Sequence, residues 1–275
     1  MSDIDEAELT AEVIRSLEQA RNPRLKQIMI SLVQHLHGFV RETRPSQEEW
    51  AFAIDFLTRA GQMCTAERQE FILMSDTLGV SMLVDRINHE DQDGATDTTV
   101  LGPFFVAGQK IVPMGSSILK KPESGETLQL AGIVRDAAGR PAAGARIDVW
   151  QTAPNGFYDV QDASAPAGHL RAAFMTGPDG AYAFETIAPT SYPIPDDGPV
   201  GQMLGALGRH PYRPAHIHFM IAHPGSRTLV THLFAAGDQY LGSDAVFGVK
   251  DTLVFSPEAG PEGQRLRYDF GLRSR

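Results

Sequence analysis

A single cysteine, Cys64, stands in the 275-residue chain. One thiol excludes an intrachain disulfide framework and every metal site built on several thiolates. Basic residues are in deficit as well: 24 Lys and Arg face 34 Asp and Glu, for a formal net charge of −10. That balance argues against nucleic acid and against an anionic membrane as partner. No apolar run approaches the roughly eighteen residues of a membrane span. The opening MSDIDEAELTAE is acidic and polar, without the basic and apolar regions of a signal peptide, so a cytoplasmic protein is expected.

What remains is an ordinary globular composition, 42% hydrophobic and 21% charged, long enough for one large domain or a small one joined to a larger. The first hundred residues read as helices. Ile28, Met29, Leu32, Val33, Leu36, Phe39 and Val40 recur at helical spacing as a core-facing stripe. Asn22-Pro23 supplies a cap and a first-turn proline. Ser46-Gln47-Glu48-Glu49 is a capping box for the next helix, with Gly61 near its end. Residues 65–87 give a further helix carrying Phe71, Ile72, Met74, Leu78 and Met82.

Near residue 100 the pattern changes. Short segments at 127–136, 145–152, 180–187, 215–222, 228–235 and 251–255 read as strands between turn signals such as Pro178-Asp179-Gly180. Strands at this density indicate an antiparallel β-sandwich or barrel. Residues 188–214, with six prolines, form a long irregular connection of the kind that usually serves function.

Within RPAHIHFMIAHPG, alternation on a strand puts His216 and His218 on one face. Two imidazoles about 7 Å apart along a strand can converge on one ion. A second HxH, His35 and His37, lies in a helical pattern where residues two apart diverge, so no function is assigned to it. The third ligand decides the chemistry. A carboxylate such as Asp179 or Glu185 would make a ferrous facial triad; a third histidine, His210 or His232, would suit zinc. A tyrosinate is the remaining option. With a phenol pKa near 10, it demands a hard, strongly Lewis-acidic cation such as ferric iron. The six tyrosines cannot be told apart on physics alone.

Several ordered motifs carry a resemblance: TVLGPFFV (99–106), DVWQTAPNGFYD (148–159), IAPTSYPIP (187–195), GRHPYRPAHIHF (208–219) and THLFAAGDQYLGSDAVFGVKD (231–251). Together they resemble the intradiol ring-cleaving dioxygenases, and within them the branch acting on hydroxyquinol. The resemblance implies an α+β protein with an N-terminal helical, dimerising domain over 1–98, followed by an antiparallel β-sandwich catalytic domain over 99–275. It implies one Fe(III) per subunit held by Tyr158, Tyr192, His216 and His218, with Tyr192 also catalytic. It implies a homodimer through the N-terminal helices, with a phospholipid held between them. Arg213 matches the family's active-site arginine, which would stabilise negative charge on the substrate ring.

By the same resemblance Leu73, Asp76, Val100, Leu101, Gly102, Pro103, Phe104, Ile194, Pro195 and Val246 line the substrate pocket. Leu73 and Asp76, three apart on a helix, face one way. An aspartate there can accept a hydrogen bond from a third ring hydroxyl, which catechol lacks. The implied reaction is therefore cleavage of hydroxyquinol (1,2,4-trihydroxybenzene) by O2 to 3-hydroxy-cis,cis-muconate and its tautomer maleylacetate. Catechol or chlorocatechol cleavage is the alternative, and a non-catalytic metal-binding sandwich is the reading outside that class. His232 is a departure, because catechol-cleaving relatives tend to carry glutamine there; a histidine also donates to a ring oxygen, with a charge that depends on pH.

Overall fold

The computed structural model describes residues 5–65, 68–89, 94–261 and 263–275. Residues up to 59 form one compact unit and residues from 60 onward another.

In the first unit, α1 (Glu6–Ser16) packs with α2 (Pro23–Thr43), and α3 (Gln47–Met63) begins there. Asn22 Oδ1 accepts from the Leu25 amide at 3.0 Å, as the cap requires. The box at α3 is reciprocal: the Glu49 amide donates to Ser46 Oγ at 3.1 Å and the Ser46 amide to Glu49 Oε2 at 2.7 Å. His35 bonds back to the Ser31 carbonyl and His37 to Thr10 Oγ1, so the helical HxH has no common focus. The α2 stripe does not face a core in this chain. Ile28, Leu32, Leu36, Phe39 and Val40 are between 46% and 60% exposed. Periodicity identifies an apolar face, not what covers it.

By spatial contacts the break between units falls inside α3, at 59/60. The helices that follow belong with the sheets: α4 (Glu70–Thr77) packs on α6 (Pro199–Ala206), and buried Glu70 accepts the Val200 amide at 3.1 Å. The single helix expected over 65–87 is two, α4 and α5 (Val80–Asn88), parted at Gly79, whose φ of +73° ends a helical path. α6 itself lies in the segment read as irregular.

The strands are β1 (Thr127–Arg135), β2 (Arg146–Trp150), β3 (Arg171–Met175), β4 (Ala181–Ile187), β5 (Tyr192–Pro193), β6 (Tyr212–Arg213), β7 (His216–Ala222), β8 (Leu229–Ala235), β9 (Val254–Phe255), β10 (Glu258–Gly260), β11 (Gly263–Arg267) and β12 (Phe270–Gly271). One five-stranded sheet runs β3-β2-β7-β8-β9; the other runs β10-β11-β1-β12, with β4 also on β1. Their inner faces meet in one core. The rings of Phe174 and Phe184 stand 5.4 Å apart and those of Phe219 and Phe270 4.9 Å. The sandwich is mixed, not purely antiparallel, since β1 pairs parallel with β11 and β12, and β8 with β9. Asp251–Leu253, expected to open a strand, is a 3-10 turn leading into β9.

Candidate metal centre

Alternation along β7 does what the HxH spacing requires: His216 and His218 share a face, and both are buried. His218 lies opposite Trp150 of β2 and opposite His232 of β8 in the antiparallel register. Tyr158 follows β2 in a turn whose Gly156 has φ +83° and in which the Tyr158 amide donates to Gln161 Oε1 at 3.1 Å. Tyr192 is cross-strand partner to Arg213 in the short β5–β6 pair. Arg213 in turn precedes His216 by three residues, so the β5–β6 pair and the start of β7 bring a phenol, a guanidinium and an imidazole together.

Their side-chain tips converge. Tyr158 Oη is 2.9 Å from Tyr192 Oη and 2.7 Å from His218 Nε2, and the two Nε2 atoms of His216 and His218 are 3.1 Å apart. Arg213 donates from NH1 to His216 Nε2 at 3.2 Å and from NH2 to His232 Nδ1 at 3.4 Å. The remaining tyrosines stay apart: Tyr182 donates to the Tyr268 carbonyl, Tyr268 to the Thr252 carbonyl, and Tyr212 stacks on Tyr240.

Burial sets the protonation states. It holds the His216 pKa down to about 3, helped by the charge of Arg213. Burial likewise drives His218 well below the usual imidazole range, with His232 and His216 adding to it, and drives His232 down with Arg213. All three rings are therefore neutral, the form in which imidazole binds metals. Burial also pushes the Tyr158 phenol far up, with Tyr192 reinforcing it; at Tyr192 burial raises the pKa while Arg213 opposes. Burial works against the Arg213 charge too, but Asp244 and the two phenols outweigh it.

The donor set fits a hard cation. His216 Nδ1 bonds the Pro214 carbonyl at 2.6 Å, which leaves its Nε2 lone pair facing that of His218. Adjacent donors around an ion bonded at about 2 Å stand about 3 Å apart, which matches the spacing of the two oxygens and two nitrogens here. His232 also offers one ring nitrogen within 4.8 Å of those of His216 and His218. Arg213 donates to His232 Nδ1 as it does to His216 Nε2, whereas Tyr158 Oη stands nearer the pair, 2.7 Å from His218 Nε2.

Beside the cluster opens a cleft of about 730 Å³, and Leu73, Asp76, Pro103, Phe104, Ile194 and Pro195 all line it. Asp76 is buried at 5% exposure, and burial raises its carboxyl pKa against the pull of Ser81 and Arg213. Val246 packs with Leu73 and Ile194 behind the wall. The backbone of Gly102 lies against the His218 ring. Leu101 is 39% exposed and does not line the cleft.

A family model described as "Dioxygenase" matches residues 100–274, and one described as "Catechol dioxygenase N terminus" matches residues 22–96. The chain is 52% identical, over 93% of its length and 86% of the relative, to a hydroxyquinol 1,2-dioxygenase of Rhizobium sp. (strain MTP-10005). It is 48% identical to a 6-chlorohydroxyquinol 1,2-dioxygenase of Cupriavidus pinatubonensis, over 99% of both chains. A crystal structure of hydroxyquinol 1,2-dioxygenase from Pseudomonas putida DLL-E4 superposes with a TM-score of 0.92 at 48% identity, covering 98% of this chain and 99% of that one. The chain belongs to the intradiol ring-cleavage dioxygenases.

Three further residues support the centre of this dioxygenase. Asp244 holds Arg213, with Nε–Oδ1 at 3.1 Å. Arg171, buried on β3, bonds Asp159 Oδ1 at 2.7 Å and the Phe104 carbonyl at 2.8 Å, tying the turn of Tyr158 to the cleft wall. Trp150 stacks on His218 at 4.7 Å. Asp159 and Trp150 sit inside recognisable motifs, yet a motif does not reveal which neighbour a side chain will touch.

Proposed function

We propose that the chain cleaves hydroxyquinol with O2 between its adjacent hydroxylated carbons, yielding 3-hydroxy-cis,cis-muconate and thence maleylacetate. The observation that carries this reading is the convergence of Tyr158 Oη, Tyr192 Oη, His216 Nε2 and His218 Nε2 beside a cleft walled by buried Asp76. The names borne by the relatives at 52% and 48% identity point the same way.

We assign those four atoms as ligands of one Fe(III). Held there, a ferric ion would supply the Lewis acidity that makes phenolates of buried phenols and acidifies the hydroxyls of the substrate ring. The chain's own groups do the rest. Tyr192 Oη, hydrogen-bonded to Arg213, is the acceptor for a proton of a ring hydroxyl. Arg213, a fixed buried cation, stabilises negative charge as it develops on the ring, in surroundings where water cannot screen it. Asp76 accepts from the third hydroxyl, and Leu73, Phe104 and Ile194 hold the ring faces. His232 donates to a ring oxygen.

The exposed stripe of α2, with Trp50, Phe52, Ile54 and Leu57 exposed on α3, supports a homodimer formed through the N-terminal helices, whose apolar side chains would also take the acyl chains of a phospholipid.

Oxygen uptake with hydroxyquinol and with catechol, followed alongside iron content, tests the function. Rapid uptake with hydroxyquinol and slow uptake with catechol is the expected result. The reverse preference would make the chain a catechol or chlorocatechol dioxygenase, and no uptake with any diol would favour a non-catalytic metal-binding sandwich.

A further inference from the structure

The two histidines of the cluster are held by different means. His216 is anchored through Nδ1 to the Pro214 carbonyl at 2.6 Å, the kind of bond that fixes the tautomer and plane of a metal-binding imidazole. His218 Nδ1 is buried and has no hydrogen-bond partner among the described residues. Its ring plane must be set by packing.

His232 meets the ring edge-on with centroids 4.1 Å apart, and Trp150 and Gly102 supply its flat support. Trp150, directly across the ladder on β2, lies against the ring with centroids 4.7 Å apart and planes 15° from parallel. Phe105 backs Trp150 at 5.2 Å. Gly102, at φ +76°, brings bare backbone up to the ring, where an added Cβ would stand 3.2 Å from His218 Cε1. Buried indole N–H groups usually find an acceptor, but Trp150 Nε1 has none among the described residues. The side chain is therefore used for its flat face and not for its donor.

We propose that Trp150 and Gly102 are positioning residues for His218, and that retention of the metal depends on them; this rests on the assignment of His218 as an iron ligand. A ring free to tilt about χ2 loses the aim of Nε2, and the ligand is lost for part of the time. A flat aromatic at position 150 suffices, whereas an aliphatic side chain of similar bulk does not.

The test follows iron release from the loaded full-length protein into excess ferric chelator, together with the thermal midpoint of each metal-free form. Trp150→Leu should release iron about 10-fold faster or more, within the range by which lost outer-shell partners weaken metal sites. Trp150→Phe should stay close to the parent protein, and Gly102→Ala should accelerate release. Leu and parent releasing iron at one rate would overturn the proposal, as would Phe behaving like Leu, because the aromatic face would then be irrelevant. If Trp150→Leu does not fold, Gly102→Ala and Trp150→Phe decide the matter by the same criteria. A parent protein that binds no iron would instead overturn the ligand assignment itself.

Discussion

Arg213 and Asp244 form a buried ion pair, Nε–Oδ1 3.1 Å and NH2–Oδ2 3.3 Å, whose carboxylate is also fixed by the Gly248 amide at 2.9 Å. Burial opposes the Asp244 charge, but Arg213 more than offsets it and keeps the pKa below the usual range. Truncating one partner of such a pair strands the other charge, which costs about 3–5 kcal/mol. Asp244→Asn should therefore lower the urea midpoint by a matching amount at neutral pH. The depressed carboxyl stabilises the fold above its unfolded pKa of about 3.9, and that contribution disappears as pH falls through the folded value. The variant and parent should thus converge in acid; a gap that persists undiminished there would mean the pair is not what Asn removes.

Arg213 is held with two donors aimed past His216 and His232. If it stabilises charge that develops during reaction, Arg213→Ala should reduce kcat by about 10²–10³, the scale of losing one preorganised donor, with a much smaller rise in KM. Steady-state kinetics with hydroxyquinol separate the two. A loss carried wholly by KM would make it a binding residue.

Tyr158 is fully enclosed, with Phe104 stacked on its ring at 4.6 Å, and burial alone would keep its phenol protonated. Only a strong cation makes it a phenolate. The iron-loaded protein should accordingly be red to burgundy from tyrosinate-to-ferric charge transfer, and Tyr158→Phe should lose both iron and much of the visible band. A fully loaded protein without colour would refute the tyrosinate assignment.

Much of this was legible in sequence because it is local. Asn22 and Ser46 act within one turn, and His216 and His218 share a face by simple alternation, so each could be read off its neighbours. What was not legible depends on distant partners. β3 is RAAFM, too poor in β-branched residues to announce a strand, and it forms because β2 pairs along its whole length. β11, GQRLR, is polar and survives by parallel pairing with β1. The stop at Gly79 is a single positive φ inside an apolar pattern that favoured continuing the helix. Asp244 could be named only once Arg213 had a position in space.

Asp76 should decide between a triol and a diol. Its carboxyl is buried in the cleft wall, and a hydrogen bond to such a group contributes about 1.5–3 kcal/mol. Asp76→Ala should lower the ratio of kcat/KM for hydroxyquinol over catechol by about 10- to 100-fold, mostly by weakening the triol. A ratio that stays put would move the discrimination elsewhere in the cleft.

The three neutral histidines give the metal-free protein a defined acid sensitivity. Folded His216 titrates at about 3 against an ordinary value of 6.5, because burial and Arg213 both resist its charge, and His218 and His232 are depressed in the same direction. Between those limits the unfolded chain takes up protons that the folded chain refuses. Stability is then complete above pH 6.5 and falls as pH drops toward the folded value, by about 1.4 kcal/mol per pH unit for each ring. Urea midpoints of the metal-free protein at pH 7.5, 6 and 5 should decline steeply, and His232→Gln should flatten the slope by one ring's share. Iron competes with the proton for Nε2 of His216 and His218, so the loaded protein should keep its midpoint further into acid. Equal slopes with and without iron would mean that neither nitrogen faces the ion.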